Sequence, residues 1–393
     1  KKQVNMELTD PLTTTTLTFV IAMAITIISI PTIVKVAKIK QLVDIPNGRT
    51  SHNGMIPSLG GFATFTAISI ALLTLADFQV NPYCQYFLGG ILIIFFIGLK
   101  DDILVIDPYK KLLGQIAAAG LIVFLGDIHF TNLHGFLGID QIHPIMGSVL
   151  TIFVVIVITN SFNLIDGIDG LAAGIGILTA LALGGWFYYI GQHQLAIISV
   201  AITGAYLGFL VYNVSKGENK IFMGDTGSLI LGFGLAFLII HFNELNLVEQ
   251  KMNIASAPAV SFGILIVPLF DTLRVFLIRV LKGKSPFNPD KQHLHHRLLH
   301  LFDSHSKTTS TILLFNALFV GLVFLLQNLA IIELIIIEVA VAGALSYLPV
   351  MLIKRKEKKP ILSFDTDWII HPEIQDTNHY HEQPKKKYTE VDI

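Results

Sequence analysis

Uncharged runs of about 20 residues recur along almost the whole chain, and nothing else limits its fold as strictly. A helix crossing a bilayer needs about 20 predominantly apolar residues, because it must span roughly 30 Å of hydrocarbon at about 1.5 Å per residue. Pro11–Val34, Gly54–Ala76, Phe78–Leu99, Gln141–Ile165, Thr226–Asn243, Met252–Phe270 and Thr308–Ile332 each supply one such run. Leu112–Gly126 is shorter and has to borrow flanking residues. Gly170–Ser215 is uncharged for 46 residues, and the aromatic and polar residues of Trp186–Gln194 in its middle suit a membrane interface, so it divides into two helices. Leu334–Ile353, with Glu338 inside it, is the last. The pattern predicts an all-α, polytopic membrane bundle of about 11 transmembrane helices. Composition agrees: 53% of the 393 residues are hydrophobic and 14% are charged, where soluble chains carry about 25% charged residues. A net charge of −1 argues against nucleic-acid binding, and the single cysteine, Cys84, cannot form an internal disulfide.

Lysine and arginine set the orientation. If the connection over residues 35–57 is cytoplasmic, 23 of the 27 lysines and arginines fall on that side. The outer side keeps Lys1, Lys2 and Lys251, and Arg274 lies within a helix. The positive-inside rule then places the N-terminus outside and the C-terminus in the cytoplasm. The first apolar run exceeds a signal-peptide core and is followed by Lys35-Val-Ala-Lys-Ile-Lys40, so it reads as a retained helix. Residues 1–353 form the membrane domain in this reading. Residues 354–393 are a basic and then polar cytoplasmic tail, expected to be partly disordered, with His379 and His381 solvated.

Charged residues at membrane boundaries are costly, so their clustering points to function. Five clusters fall on the cytoplasmic side. They are Asp44 to His52; Asp101-Asp102 with Lys111; Asn163, Asp166 and Asp169; Phe222-Met-Gly-Asp225; and Asp271 with His293-Leu-His295-His296-Arg297. Carboxylates and amides without cysteine suit Mg²⁺, which binds through one or two carboxylates plus substrate phosphates. The lysines, arginine and histidines beside them suit phosphate oxygens. Gly224-Asp-Thr-Gly-Ser228 opens a helix whose first amides favour an anion. Each cluster alone has a plainer reading. Asp101-Asp102 fits a solvated helix end, the spacing of Asn163, Asp166 and Asp169 fits a polar helix–helix contact, and the histidines fit an ordinary surface. Together they read as a cation–diphosphate site at the inner membrane surface. A secondary transporter is the alternative of another class, but it would place polar groups near the midplane, often within repeats. Here the acidic motifs sit at helix ends. Gly204 and Gly208 have helix-packing spacing, and Glu333 and Glu338 have no role in this reading.

In this order the clusters resemble the polyprenyl-phosphate N-acetylhexosamine-1-phosphate transferases, over about residues 15–353. The resemblance implies transfer of a sugar 1-phosphate from a UDP-sugar to a membrane polyprenyl phosphate such as undecaprenyl phosphate. UMP is released, and Mg²⁺ or Mn²⁺ is required. It implies a catalytic set of Asp101, Asp102, Lys111, Asp166 and Asp169, with Asp225 and Asn163 holding the metal. Phe222 would stack on uracil and Asn213 contact the uridine; Asp44, His52, Asp271, His293, His295, His296 and Arg297 would bind substrate. The run His-Leu-His-His-Arg, in place of three consecutive histidines, resembles the branch whose donor is UDP-GlcNAc rather than UDP-MurNAc-pentapeptide. Another UDP-N-acetyl sugar is the alternative donor. The implied location is the bacterial plasma membrane with a cytoplasmic active site, and a homodimer is compatible with it.

Overall fold

The computed structural model describes residues 10–42, 56–78, 82–104, 106–248, 251–283 and 293–357. Its helices are α1 (Pro11–Ile39), α2 (Gly60–Leu75), α3 (Tyr83–Leu104), α4 (Pro108–Gly120), α5 (Pro144–Ile165), α6 (Leu171–Tyr189) and α7 (His193–Asn213). They continue as α8 (Gly224–Leu245), α9 (Ala257–Ile264), α10 (Ile266–Leu281), α11 (Leu294–Phe302), α12 (His305–Leu325) and α13 (Ile331–Glu357). A π-helical turn, Leu121–Leu125, prolongs α4. A short antiparallel hairpin, β1 (Asn132–Phe136) and β2 (Ile139–Gln141), connects it to α5. The helices up to Ile353 make one compact unit. The expected polar tail lies outside the described residues from position 358 onward.

The chain is an all-α multi-pass membrane protein. Among the described residues eight helices are long and apolar enough to cross a bilayer, namely α1, α4 with its π-turn, α5, α6, α7, α8, α12 and α13. The sequence reading expects about 11 crossings, more than these eight helices supply by length and composition alone. α2 is a shorter apolar helix of 16 residues. The crossing expected over Met252–Phe270 is broken into α9 and α10 at Leu265, whose φ of −100° and ψ of 18° are not helical. Proline explains the break, since Pro268 has no N–H to give the Ile264 carbonyl and its ring crowds that carbonyl. Helix starts are also legible locally. Asp107 accepts the Tyr109 N–H at 2.8 Å ahead of Pro108 in the first turn of α4.

Every residue of α8 from Thr226 to Asn243 is buried, and α2, α3, α5 and α6 pack around it. Small residues permit the close approach. A methyl on Gly61 of α2 would lie 2.2 Å from the Gly227 nitrogen, one on Gly98 of α3 2.4 Å from the Thr226 Cα, and one on Gly232 2.6 Å from the Thr159 Cα of α5. Gly204 and Gly208 of α7 likewise meet the backbone of α1 at Phe19 and Met23. Large apolar side chains such as Ile28, Leu73, Phe96, Phe153 and Leu318 point outward, as a lipid solvent allows. The glycine contacts bring the end of α3, the end of α5 and the start of α8 to one end of the bundle, where the polar clusters gather.

Candidate active site

Gly224 turns the chain into α8 with φ of +71°. A methyl there would lie 2.1 Å from the Ser58 carbonyl oxygen and 2.7 Å from Asp102 Oδ1, so only glycine fits. Asp102, from the last turn of α3, caps the new helix. Its Oδ1 accepts the Asp225 N–H at 2.7 Å, and its Oδ2 accepts the Thr226 N–H at 3.0 Å and the Thr226 hydroxyl at 2.5 Å. A carboxylate on the first amides of a helix is stabilised by the helix dipole. The sequence reading places Asp102 in the catalytic set; the structure uses both of its oxygens to aim Asp225.

Around Asp225 three side chains converge. Lys111 Nζ, from the first turn of α4, lies 2.7 Å from Asp225 Oδ2, 3.0 Å from Asp101 Oδ2 and 3.3 Å from Asn163 Oδ1. Asn163, in the last turn of α5, donates its amide N–H to Asp225 Oδ1 at 2.6 Å and to Ser228 Oγ at 2.9 Å. Asp101 Oδ1 accepts the Ile106 N–H at 2.8 Å, and its carboxyl group is within hydrogen-bonding reach of Asp225. An ammonium has three donors, and here all three meet oxygens of this group. The result is a cradle of hard oxygens around one positive charge, the donor chemistry that suits Mg²⁺. Among the described residues no group of three or more His, Cys, Asp or Glu side chains forms a complete metal site. A cation there would have to complete its shell from substrate or water.

Asp166 ends α5 beside this cradle. Burial first, and then the carboxylates of Asp225, Asp102 and Asp169, push it up to about 8. Asp169, three residues on, is engaged elsewhere. Its Oδ2 pairs with Lys220 Nζ at 2.6 Å and lies 3.6 Å from His305 Nδ1, while its carbonyl accepts the Thr309 hydroxyl at 2.8 Å. Lys220 Nζ also sits 5.8 Å from the centre of the Phe222 ring.

Asn213 is 5% exposed, and both ends of its amide are used. Its Oδ1 accepts the Gly170 N–H at 2.7 Å and its Nδ2 donates to the Ile221 carbonyl at 3.0 Å. It ties the Asp166–Gly170 turn to the strand of chain leading into Phe222. Phe222 is fixed through its backbone to Pro57 and Gly60.

The histidine segment belongs to the same assembly. Asp271 of α10 is 3% exposed; its Oδ1 accepts from Arg274 Nη2 at 2.7 Å and from the Leu294 N–H at 3.0 Å, and its Oδ2 meets His293 Nδ1 at 2.8 Å. It caps and anchors α11, so the substrate contact expected of it is replaced by an anchoring role. His295 is 2% exposed, and a methyl on Gly167 would lie 2.5 Å from its Nε2, so α11 rests on the Asp166–Gly170 turn. Burial, reinforced by His296, pushes His295 down to about 3. His296 and Arg297 follow on the half-buried side of α11. Asp44 and His52 lie outside the described residues. The sequence reading did not single out Thr226, Ser228, Lys220 or Gly167. Only the Gly224–Ser228 segment pointed at two of them.

Comparison with known proteins gives the same direction. The Glycosyl transferase family 4 model matches residues 84–243. The undecaprenyl-phosphate alpha-N-acetylglucosaminyl 1-phosphate transferase of Escherichia coli (strain K12) is 31% identical over 268 residues, 67% of this chain and 71% of that protein. The protein of the same name from Yersinia pestis is also 31% identical, with the same coverage. The decaprenyl-phosphate N-acetylglucosaminephosphotransferase of Mycolicibacterium smegmatis is 32% identical over 303 residues, 69% of this chain and 72% of that protein. The matched segment contains the Asp101, Lys111, Asn163 and Asp225 cradle, and the chain belongs to glycosyl transferase family 4.

Proposed function

We propose that this protein transfers GlcNAc 1-phosphate from UDP-GlcNAc to a polyprenyl phosphate, undecaprenyl phosphate in a bacterial membrane, releasing UMP and leaving a polyprenyl-diphospho-GlcNAc. The observation that carries the reading is the oxygen cradle on Lys111, set beside an anchored helix that bears His296 and Arg297. The names of the relatives at about 31% identity support both substrates.

Asp225 would hold Mg²⁺ or Mn²⁺, with Asn163 steadying its carboxylate and Asp101 completing the oxygen face. The metal, when bound, neutralises diphosphate charge and stabilises the departing UMP. Phosphoryl transfer depends chiefly on alignment and charge stabilisation, with little covalent work for the protein. Lys111, released from part of its carboxylate cradle, would then hold a phosphate oxygen. Arg297 offers a fixed fork of N–H donors to the donor sugar phosphate, and Phe222 a face for the base. The lipid phosphate is already mostly dianionic at neutral pH, its second pKa being about 6, so proton removal is a small part of the barrier. Asp101 or Asp166 would take the remaining proton.

The 11-crossing count and the orientation belong to the same proposal. With α2, α3 and the α9–α10 pair also crossing, the basic-residue asymmetry puts the cradle on the cytoplasmic face, the N-terminus outside and the tail over 354–393 inside. The test is a donor panel of UDP-GlcNAc, UDP-GalNAc and UDP-MurNAc-pentapeptide with undecaprenyl phosphate, the lipid product being identified by mass spectrometry. Turnover of UDP-GlcNAc alone supports the reading, and turnover of only another donor replaces it.

A further inference from the structure

Glu338 lies seven residues into α13, about 10 Å along its axis. It is fully buried, and neither carboxylate oxygen has a hydrogen-bond partner. Its carboxyl group abuts the last turn of α9. A methyl on Gly263 would lie 2.6 Å from Glu338 Oε1 and 2.4 Å from Val323 Cγ1 of α12. This is where α9 breaks, and Pro268 leaves the Ile264 carbonyl without its helical donor. The C-terminal end of a helix carries partial negative charge from such carbonyls. A donorless carboxyl group therefore rests against the negative end of a broken helix, within a membrane protein. Two acceptor surfaces in contact there call for a donor or a cation between them.

Among the described residues no basic side chain bonds either oxygen, His134 of β1, which also packs on α9, included. α9 has no titratable residue, and those of α12, His305 and Lys307, lie in its first turn, at the opposite end from Val323. On α13, Glu333 accepts the Ala330 N–H at 3.3 Å, and Tyr347 lies nine residues beyond Glu338. On α10, past the break, Asp271 is engaged with Arg274 and His293, and Arg279 lies eight residues farther along. On α8, which packs on α9, His241 faces the Phe237 carbonyl and Glu244 bonds Thr131, while Asp225 belongs to the cradle.

We propose that Glu338 and the C-terminal carbonyls of α9 form a buried site for one positive charge, filled by a proton or by a small alkali cation. Broken transmembrane helices bind cations through such half-helix C-terminal carbonyls. The site stands apart from the Asp225 cradle and does not depend on the proposed reaction. Its occupancy holds the α9–α10 break, and α10 carries the Asp271 that caps α11.

The experiment uses the full-length protein in detergent, wild type and Glu338→Gln, with Na⁺, Li⁺ or choline as the only monovalent cation. Infrared difference spectra between the two proteins report the state of this one carboxyl group, and melting temperature reports its effect on the fold. With a proton in the site, the carboxylic acid C=O band persists in choline at neutral pH. The wild type then melts lower as pH rises through the titration of Glu338, while Glu338→Gln shows no such loss, because a raised pKa contributes stability that ionisation removes. With an alkali cation in the site, the acid band is absent, and Na⁺ or Li⁺ raises the melting temperature of the wild type only. An ionised carboxylate band with no effect of Na⁺ or Li⁺ overturns the proposal. If Glu338→Gln does not accumulate, the acid band is titrated in the wild type between about pH 5 and pH 9 in the same salts. An acid band lost at the ordinary glutamate pKa of about 4.3, without cation dependence, is equally contrary.

Discussion

Replacing Asp102 with asparagine should loosen the start of α8 and spare the acid–base behaviour of the reaction. Asparagine keeps one acceptor for the Asp225 N–H, now 2.7 Å away, but turns an amide NH₂ toward the Thr226 N–H and hydroxyl that Oδ2 now accepts. A hydrogen bond to a charged group is worth about 1.5–3 kcal/mol, and a negative charge at a helix N-terminus adds roughly 0.3–1 kcal/mol. The start of α8 should therefore lose about 2–4 kcal/mol by these figures. Asp225 rides on that first turn, so its carboxylate loses its aim and metal affinity falls. The assay is a melting curve in detergent with activity titrated against Mg²⁺ and pH. The expected variant melts several degrees lower, needs more Mg²⁺, recovers most of its rate at saturating Mg²⁺ and keeps the wild-type pH profile. A variant that melts like the wild type yet stays inactive at saturating Mg²⁺ with a shifted pH profile would make Asp102 a proton-transfer group and refute the capping argument.

Asn213→Ala orphans the Gly170 N–H and the Ile221 carbonyl, each costing about 1–3 kcal/mol when buried; a melting temperature unchanged from wild type would refute its anchoring role. His295 is held neutral in the fold, at about 3, so the unfolded chain binds its proton first as pH falls below its ordinary 6.5. Stability should then drop by about 1.4 kcal/mol per pH unit below that point. His295→Asn should flatten that acid limb in melting curves, and an unchanged limb assigns it to another group. Arg297→Lys should weaken UDP-GlcNAc use by about 1.5–3 kcal/mol, roughly 10- to 150-fold in kcat/KM, with little change for the lipid; a defect confined to the lipid reassigns α11. Cysteines introduced at exposed positions 135 and 219 should label from outside and inside the cell respectively, against a native Cys84 that is buried. Outside labelling at 219 inverts the topology.

Helices were legible in this sequence because a bilayer demands apolar length, a quantity read directly from the residues. The break at Leu265 was less so. The run Met252–Phe270 is long enough for one crossing, and only Pro268, four residues beyond Ile264, signals that the carbonyl ladder stops. α11 was hidden for another reason: Leu294, Leu298 and Leu301 have helical spacing, but nine residues rich in histidine lack the apolar length that marks the other helices. In the site, the chemistry of the residues was plain but the division of labour was not. Asp101 and Asp102 are neighbours in sequence and of the same type, yet one lies with Lys111 in the cradle and the other caps a helix 123 residues away. The family resemblance read Asp169 as catalytic and Asn213 as a uridine contact; their partners, Lys220, Gly170 and Ile221, are set by how α6, α7 and α8 pack. The bonds to Lys220 and Gly170 span 51 and 43 residues and leave no local mark.

The most direct test of the account is release of UMP by the purified protein. With UDP-GlcNAc, undecaprenyl phosphate and Mg²⁺ all present, UMP and a lipid-linked diphospho-GlcNAc should appear in equal amounts. Omission of lipid or metal should stop both, and so should Asp225→Asn, which keeps the side chain's size and removes the charge at the centre of the cradle. UMP release without a lipid product, or full turnover by Asp225→Asn, would contradict the claim that this cluster joins a nucleotide sugar to a membrane phosphate.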